Sequence, residues 1–115
     1  MTTTPHPLIS STDVHGAACY GPDGEHVGEI DHLMIDKKSG MVAYAVIGFG
    51  GFMGLGEDHY PLPWGSMSYD VEKGGYRVNV TKDQFQSAPA RDDGWDRDRR
   101  WEERVHTHFG APYYW

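Results

Sequence analysis

The sequence is poor in cysteine, with Cys19 as its single thiol, so no disulfide can form within the chain and its stability must come from a packed core. It also lacks an excess of base. Lys and Arg number 10 against 17 Asp and Glu, a formal charge of −7, whereas a nucleic-acid footprint needs clustered cations to offset phosphates. Direct nucleic-acid binding is therefore not expected. Long apolar runs are absent too: nothing approaches the roughly 20 residues that a membrane-spanning helix requires, and MTTTPHPLIS has neither the basic start nor the apolar stretch of a secretory signal. These absences together predict a cytoplasmic protein with no transmembrane segment, whose membrane contact, if it joins a membrane complex, is peripheral.

What is present is turn chemistry at short intervals. At 115 residues the chain can enclose one core. Residues 1–7 carry three threonines and two prolines without apolar periodicity and read as a flexible lead-in. Leu8 and Ile9 begin the ordered part, Ser11 to Gly16 form one capped helical turn, and a strand runs from Ala17 to Tyr20. Gly21-Pro22-Asp23-Gly24 turns the chain into a second strand, Val27 to Asp36, whose apolar phase shifts around Gly28 and so predicts a bulge. Beyond the turn at Lys37 to Gly40, Met41 to Ile47 is apolar on both faces, as in a central strand covered on both sides. In the next strand Tyr60, Leu62 and Trp64 alternate with Pro61 and Pro63, which cannot donate to a ladder, so this strand belongs at an edge. Ser66 to Val71 and Tyr76 to Val80 alternate cleanly around Glu72 to Gly75, as in a hairpin.

Six short strands predict a mainly β fold, a small closed or nearly closed six-stranded barrel. Thr81 and Gln84 have the spacing of a capping box, which predicts a short helix after the last strand. The expected barrel domain spans residues 8–90. Residues 91–115 form a charged and aromatic tail, helical and then extended, in which Trp101, Val105 and Phe109 share one helix face and Gly110 is the stop.

Leu8-Ile9-Ser10-Ser11 with Val14 and Gly16, then Asp23 to Ile30, then Leu33-Met34-Ile35-Asp36, resemble the PRC-barrel family. Gly40 to Val46, the loop Gly50 to Glu57 and Tyr60-Pro61-Leu62-Pro63-Trp64 follow the same pattern. The resemblance covers residues 8 to 88, and its specificity lies in the ordered series. It implies a PRC-type barrel that serves as a docking body, as in the cytoplasmic part of the photosynthetic reaction-centre H subunit and the C-terminal end of a ribosome-maturation factor. This chain has neither the membrane helix of the first nor the preceding domain of the second, and resembles a stand-alone bacterial member. The resemblance supplies no catalytic residue.

The seven histidines include His106 and His108, which a helix directs too far apart to hold one ion and which read as surface residues. His26, His32 and His59 have no spacing that brings them together. Asp31, Asp36, Glu57 and Asp58 read as solvated, and Cys19 as an inert core thiol. The glycine-rich run from Gly48 to Gly56 lacks the Lys-Ser or Lys-Thr of a phosphate loop. No catalytic, cofactor or metal residue is assigned, and no enzyme is expected. The candidate interaction residues are Phe49, Phe52, Met53 and Leu55 in the loop and Trp95, Trp101, Phe109, Tyr113, Tyr114 and Trp115 in the tail, which packs on the barrel or on a partner subunit. The expected function is a non-catalytic adaptor that binds a protein partner, as a homodimer. The alternatives are a ribosome-associated or RNA-processing factor acting through a basic ribosomal protein, and a metal- or small-molecule-binding protein.

Overall fold

The computed structural model describes residues 7–48, 59–81, 84, 85, 87, 94 and 97–112. The chain opens with a single helical turn, α1 (Ser11–Val14), whose N-cap Ser10 accepts from the Thr12 amide at 3.3 Å. Gly16, at φ 84°, ends it, and its amide donates to the Ile30 carbonyl at 2.7 Å. Strands β1 (Ala18–Tyr20) and β2 (His26–Ile35) then form the predicted hairpin. Cys19 faces Gly28 and Tyr20 faces His26, which leaves Val27 as an extra residue. This is the expected bulge, and it explains the phase shift, because Val27 and Gly28 are both buried.

Strand β3 (Val42–Gly48) lies between β2 and β4 (His59–Pro63). Every residue from Ala43 to Ile47 is buried. Ala45 and Ile47 enter the main core with Val27, Ile30 and Leu62, while Tyr44 and Val46 face a second cluster containing Trp101 and Val105. Both faces of the strand are covered, as its sequence predicts. Pro61 and Pro63 sit opposite Val46 and Tyr44, and β4 is an edge strand.

The hairpin of β5 (Met67–Asp70) and β6 (Gly75–Val78) is organised by Asp70. Its carboxylate accepts from the Glu72 and Lys73 amides and from the Arg77 guanidinium, each at 3.1 Å. Strand β6 pairs parallel with β1, Cys19 facing Tyr76, giving the order β4-β3-β2-β1-β6-β5. The two edges, β4 and β5, are consecutive in the chain and joined only by a 3₁₀ turn, Trp64–Ser66. A turn that short spans about 6 Å, so the sheet must curl until its edges are neighbours. The result is a six-stranded half-barrel; among the described residues no ladder joins β4 to β5.

The concave side is filled by Val14, Cys19, Ile30, Ile47, Leu62 and Val78, with Phe85 closing it. The capping box delivers Phe85. The Thr81 amide donates to Gln84 Oε1 at 2.7 Å, the Gln84 amide donates to Thr81 Oγ1 at 3.2 Å, and Gln84 and Phe85 are helical.

Helix α2 (Arg99–Phe109) is capped by Asp98, whose side chain accepts from the Arg100 amide at 2.9 Å, and it stops at Gly110 with φ 69°. Trp101 and Val105 are buried and Phe109 is half-buried, as the stripe predicts. His106 departs from its surface reading and is 2% exposed. The physical reason is local: its Nδ1 lies 2.8 Å from the Glu102 carbonyl, so the imidazole enters the apolar seam with a hydrogen bond already made. His108 is half-buried, its Nε2 2.6 Å from the Gln84 carbonyl.

Candidate interaction surface

Among the described residues the large apolar side chains left exposed are Leu8, Ile9, Ile35, Met41, Tyr69 and Val71. Leu8, Ile9, Tyr69 and Val71 line one cleft of about 560 Å³ together with Pro7, Trp64, Met67 and Tyr76. The cleft follows from topology. Parallel pairing of β1 with β6 carries the segment before β1 to the β5–β6 hairpin. Alternation along β5 then presents Met67 and Tyr69 on one face.

Its floor is aromatic. Tyr76 meets Tyr69 edge-on at 5.1 Å and Trp64 at 5.3 Å, arrangements that aromatic rings favour. Among the described residues no charged side chain lines the cleft. Burial, with Tyr69 and Cys19 adding to it, pushes the Tyr76 phenol above its ordinary pKa, which keeps it neutral.

Elsewhere, His32 Nδ1 lies 2.7 Å from Asp31 Oδ2, and His59 Nε2 lies 3.6 Å from Asp31 Oδ1. The sequence offers no spacing that brings these histidines together, and it is the tertiary pairing of β2, β3 and β4 that sets His32 and His59 on Asp31. Gly48 faces His59 across β3 and β4, and a β-carbon there would sit 3.3 Å from the His59 ring. The missing side chain is what lets the imidazole lean over β3 toward β2. A glycine in a strand end was the available signal, but it names no partner. The hydrogen bond from His32 holds the Asp31 carboxyl below its usual range, helped by the charges of His59, His32 and His15. All three side chains are about half exposed, and among the described residues no cluster of His, Cys, Asp or Glu has metal-holding geometry. His26 packs on Tyr20 instead.

Cys19 is fully buried, and burial, with Glu29 nearby, pushes its thiol up to about 12. That favours the protonated form, and the burial fits the reading of a core thiol. Asp36 is partly exposed and the Asp31 side chain about half exposed. Of the sequence-predicted interaction residues, Trp101 lies against Tyr44, their ring centroids 5.6 Å apart, and Phe109 against Phe85 at 5.9 Å. Phe49, Phe52, Met53, Leu55, Trp95, Tyr113, Tyr114 and Trp115 lie outside the described residues, as do Glu57 and Asp58. Pattern reading missed the cleft because Leu8 and Ile9 meet Tyr69 and Val71 only through tertiary pairing.

The family profile described as PRC-barrel domain matches residues 7–85. The chain belongs to the PRC-barrel family. The match ends at Phe85, the residue that closes the concave core, so helix α2 over the outer face of β3 lies beyond it. An uncharacterised protein of Deinococcus radiodurans is 29% identical over 69 residues, which are 60% of this chain and 24% of that protein. The chain thus spans about a quarter of that relative's length. Among solved structures, RimM, a proposed 16S ribosomal RNA processing protein of Pseudomonas aeruginosa, superposes with a TM-score of 0.45 at 22% identity, over 72% of this chain and 50% of that one. Among the described residues no helix is long and apolar enough to cross a membrane.

Proposed function

We propose that this PRC-barrel chain is a non-catalytic adaptor that associates with protein through the cleft beside β5, and that the first occupant of that cleft is a second copy of the chain. The observation that carries the reading is the gathering of Leu8, Ile9, Tyr69 and Val71 around one cleft that no charged side chain lines among the described residues. Monomers seldom leave such a patch in water without a use for it. Two chains that each carry −7 repel one another, and a two-fold contact sets a patch against itself. An uncharged face lets the copies meet without opposing like charges.

A non-catalytic role is supported by a sealed Cys19 thiol and by the Asp31 cluster, which stands on open surface rather than in a cavity. The same reading places the protein in the cytoplasm, where a lone buried thiol suits a reducing environment.

Sedimentation equilibrium over a wide concentration range tests it. The wild-type chain should shift from monomer to dimer, and Val71→Glu and Leu8→Glu should hold it monomeric with unchanged far-UV circular dichroism. A wild-type chain that stays monomeric throughout, or variants that dimerise as well as wild type, would overturn the reading.

A further inference from the structure

Two clefts meet at Met67. One is the apolar cleft beside β5; the other, of about 320 Å³, has Ser66, Met67 and Ser68 on one side and Gly110, Ala111 and Pro112 on the other. Helix α2 thus delivers the chain to a point one side chain away from the apolar cleft. The exit is set by the helix stop: at Gly110, with φ 69°, the Gly110 amide donates to the Thr107 carbonyl at 3.2 Å and the Ala111 amide to the His106 carbonyl at 2.9 Å. Pro112 is exposed, and Tyr113, Tyr114 and Trp115 follow it in the sequence. We propose that these three aromatic residues are the part of the second copy that fills the apolar cleft, each chain of the dimer laying its residues 113–115 into the cleft of the other. The proposal rests on the reading of that cleft as the seat of a second copy.

Cleft and occupant match in chemistry. The three residues carry no charged side chain, and none lines the cleft among the described residues. Its floor is a row of rings, Tyr76 standing 5.3 Å from Trp64 and 5.1 Å from Tyr69, which further rings extend edge-on or offset. One copy leaves room for them: Val71 is 57% exposed and Tyr69 47%.

Reach decides between a chain's own tail and that of its partner. Fully extended, three residues span about 10 Å, whereas the backbone from Met67 to Val71 covers about 13 Å at the rise of a strand. Leaving from Pro112, a chain's own residues 113–115 meet the Met67 end of its cleft and cannot lie along it to Val71. A copy across a two-fold is under no such limit, and the two-fold repeats the contact in both directions. Aromatic side chains bury about 150–250 Å² each, so two exchanged tails hide on the order of 1,000 Å² before the cleft walls they cover are counted. With those walls the contact enters the range of roughly 1,200–2,000 Å² that specific, stable interfaces bury.

Isotope-filtered NOE spectra of an equal mixture of labelled and unlabelled full chains test the exchange without any substitution. Contacts from the ring protons of Tyr113, Tyr114 and Trp115 to the Val71 methyl groups are expected in the filtered spectrum, which records only pairs on different chains. In sedimentation equilibrium the Tyr113→Ala/Tyr114→Ala/Trp115→Ala variant should dimerise at least about a hundredfold more weakly than wild type, with unchanged far-UV circular dichroism. Equal dimerisation by that variant would overturn the exchange and leave the cleft-mediated dimer in place. Contacts that appear only in the unfiltered spectrum would put the tail on its own barrel and overturn it as well. A wild-type chain that never dimerises removes both the reading and the proposal that rests on it.

Discussion

The Trp101 indole meets the Tyr44 ring at 5.6 Å and 66°, joining α2 to the outer face of β3. Both residues are at most 2% exposed, and with Val46 and Val105 they form a cluster separate from the concave core. An eleven-residue helix is marginal on its own in water, so its order depends on this contact. Trp101→Ala should cost about 3–5 kcal/mol, read from urea denaturation, with loss of helical signal in circular dichroism. Trp101→Phe should retain most of the stability. A Trp101→Ala chain as stable as wild type would show that the second cluster contributes nothing to the fold.

Two glycines that look equivalent in sequence should respond in opposite ways. At Gly75, a β-carbon would lie 2.5 Å from the Ala18 carbonyl oxygen and 2.9 Å from the Tyr20 ring. The carbonyl belongs to the strand that pairs with β6 and cannot swing aside. Gly75→Ala should therefore destabilise by about 1–3 kcal/mol through overpacking. At Gly65 nothing lies within 4 Å of that position and φ is not left-handed, so Gly65→Ala should be neutral or stabilise by up to about 1 kcal/mol. Thermal melts of the two variants side by side check the contrast.

Asp31 predicts a pH dependence of definite sign. Its carboxyl is held below the ordinary value chiefly by the His32 hydrogen bond, so the folded state favours the ionised form. That contribution is fully present above the unfolded pKa of about 3.9 and is lost as pH falls through the lower folded value. Asp31→Asn removes it. Denaturation curves between neutral pH and about pH 3 should show the wild type losing more stability than the variant at the acid end; parallel pH profiles would refute the assignment.

Much of this architecture was legible along the chain, because it depends on local chemistry. The Val27 bulge follows from a phase shift beside Gly28, the edge position of β4 from Pro61 and Pro63, and the buried stripe of α2 from Trp101, Val105 and Phe109. The candidate cleft was not legible. Leu8 and Ile9 read only as the start of the ordered chain and Tyr69 as one residue of a hairpin, and what unites them is the parallel pairing of β1 with β6, a contact that periodicity does not encode. The burial of His106 was missed because its side chain bonds back to its own helix, which makes a polar residue acceptable in an apolar seam.

Cys19 offers a reactivity test of the concave core. Its thiol is fully buried between β2 and β6 and is pushed up to about 12 by burial, with Glu29 adding to the effect. Only the thiolate attacks an alkylating reagent, and an ordinary cysteine titrates near 8.5. At pH 8 that difference lowers the reactive fraction by about three orders of magnitude, before access is considered. Iodoacetamide should therefore label the native chain at least about a thousandfold more slowly than the urea-unfolded chain, and the native rate should track the population of opened molecules as urea is added. Mass spectrometry after timed quenching measures both rates. Rapid labelling of the native chain in the absence of urea would mean that β1 does not seal against its neighbours.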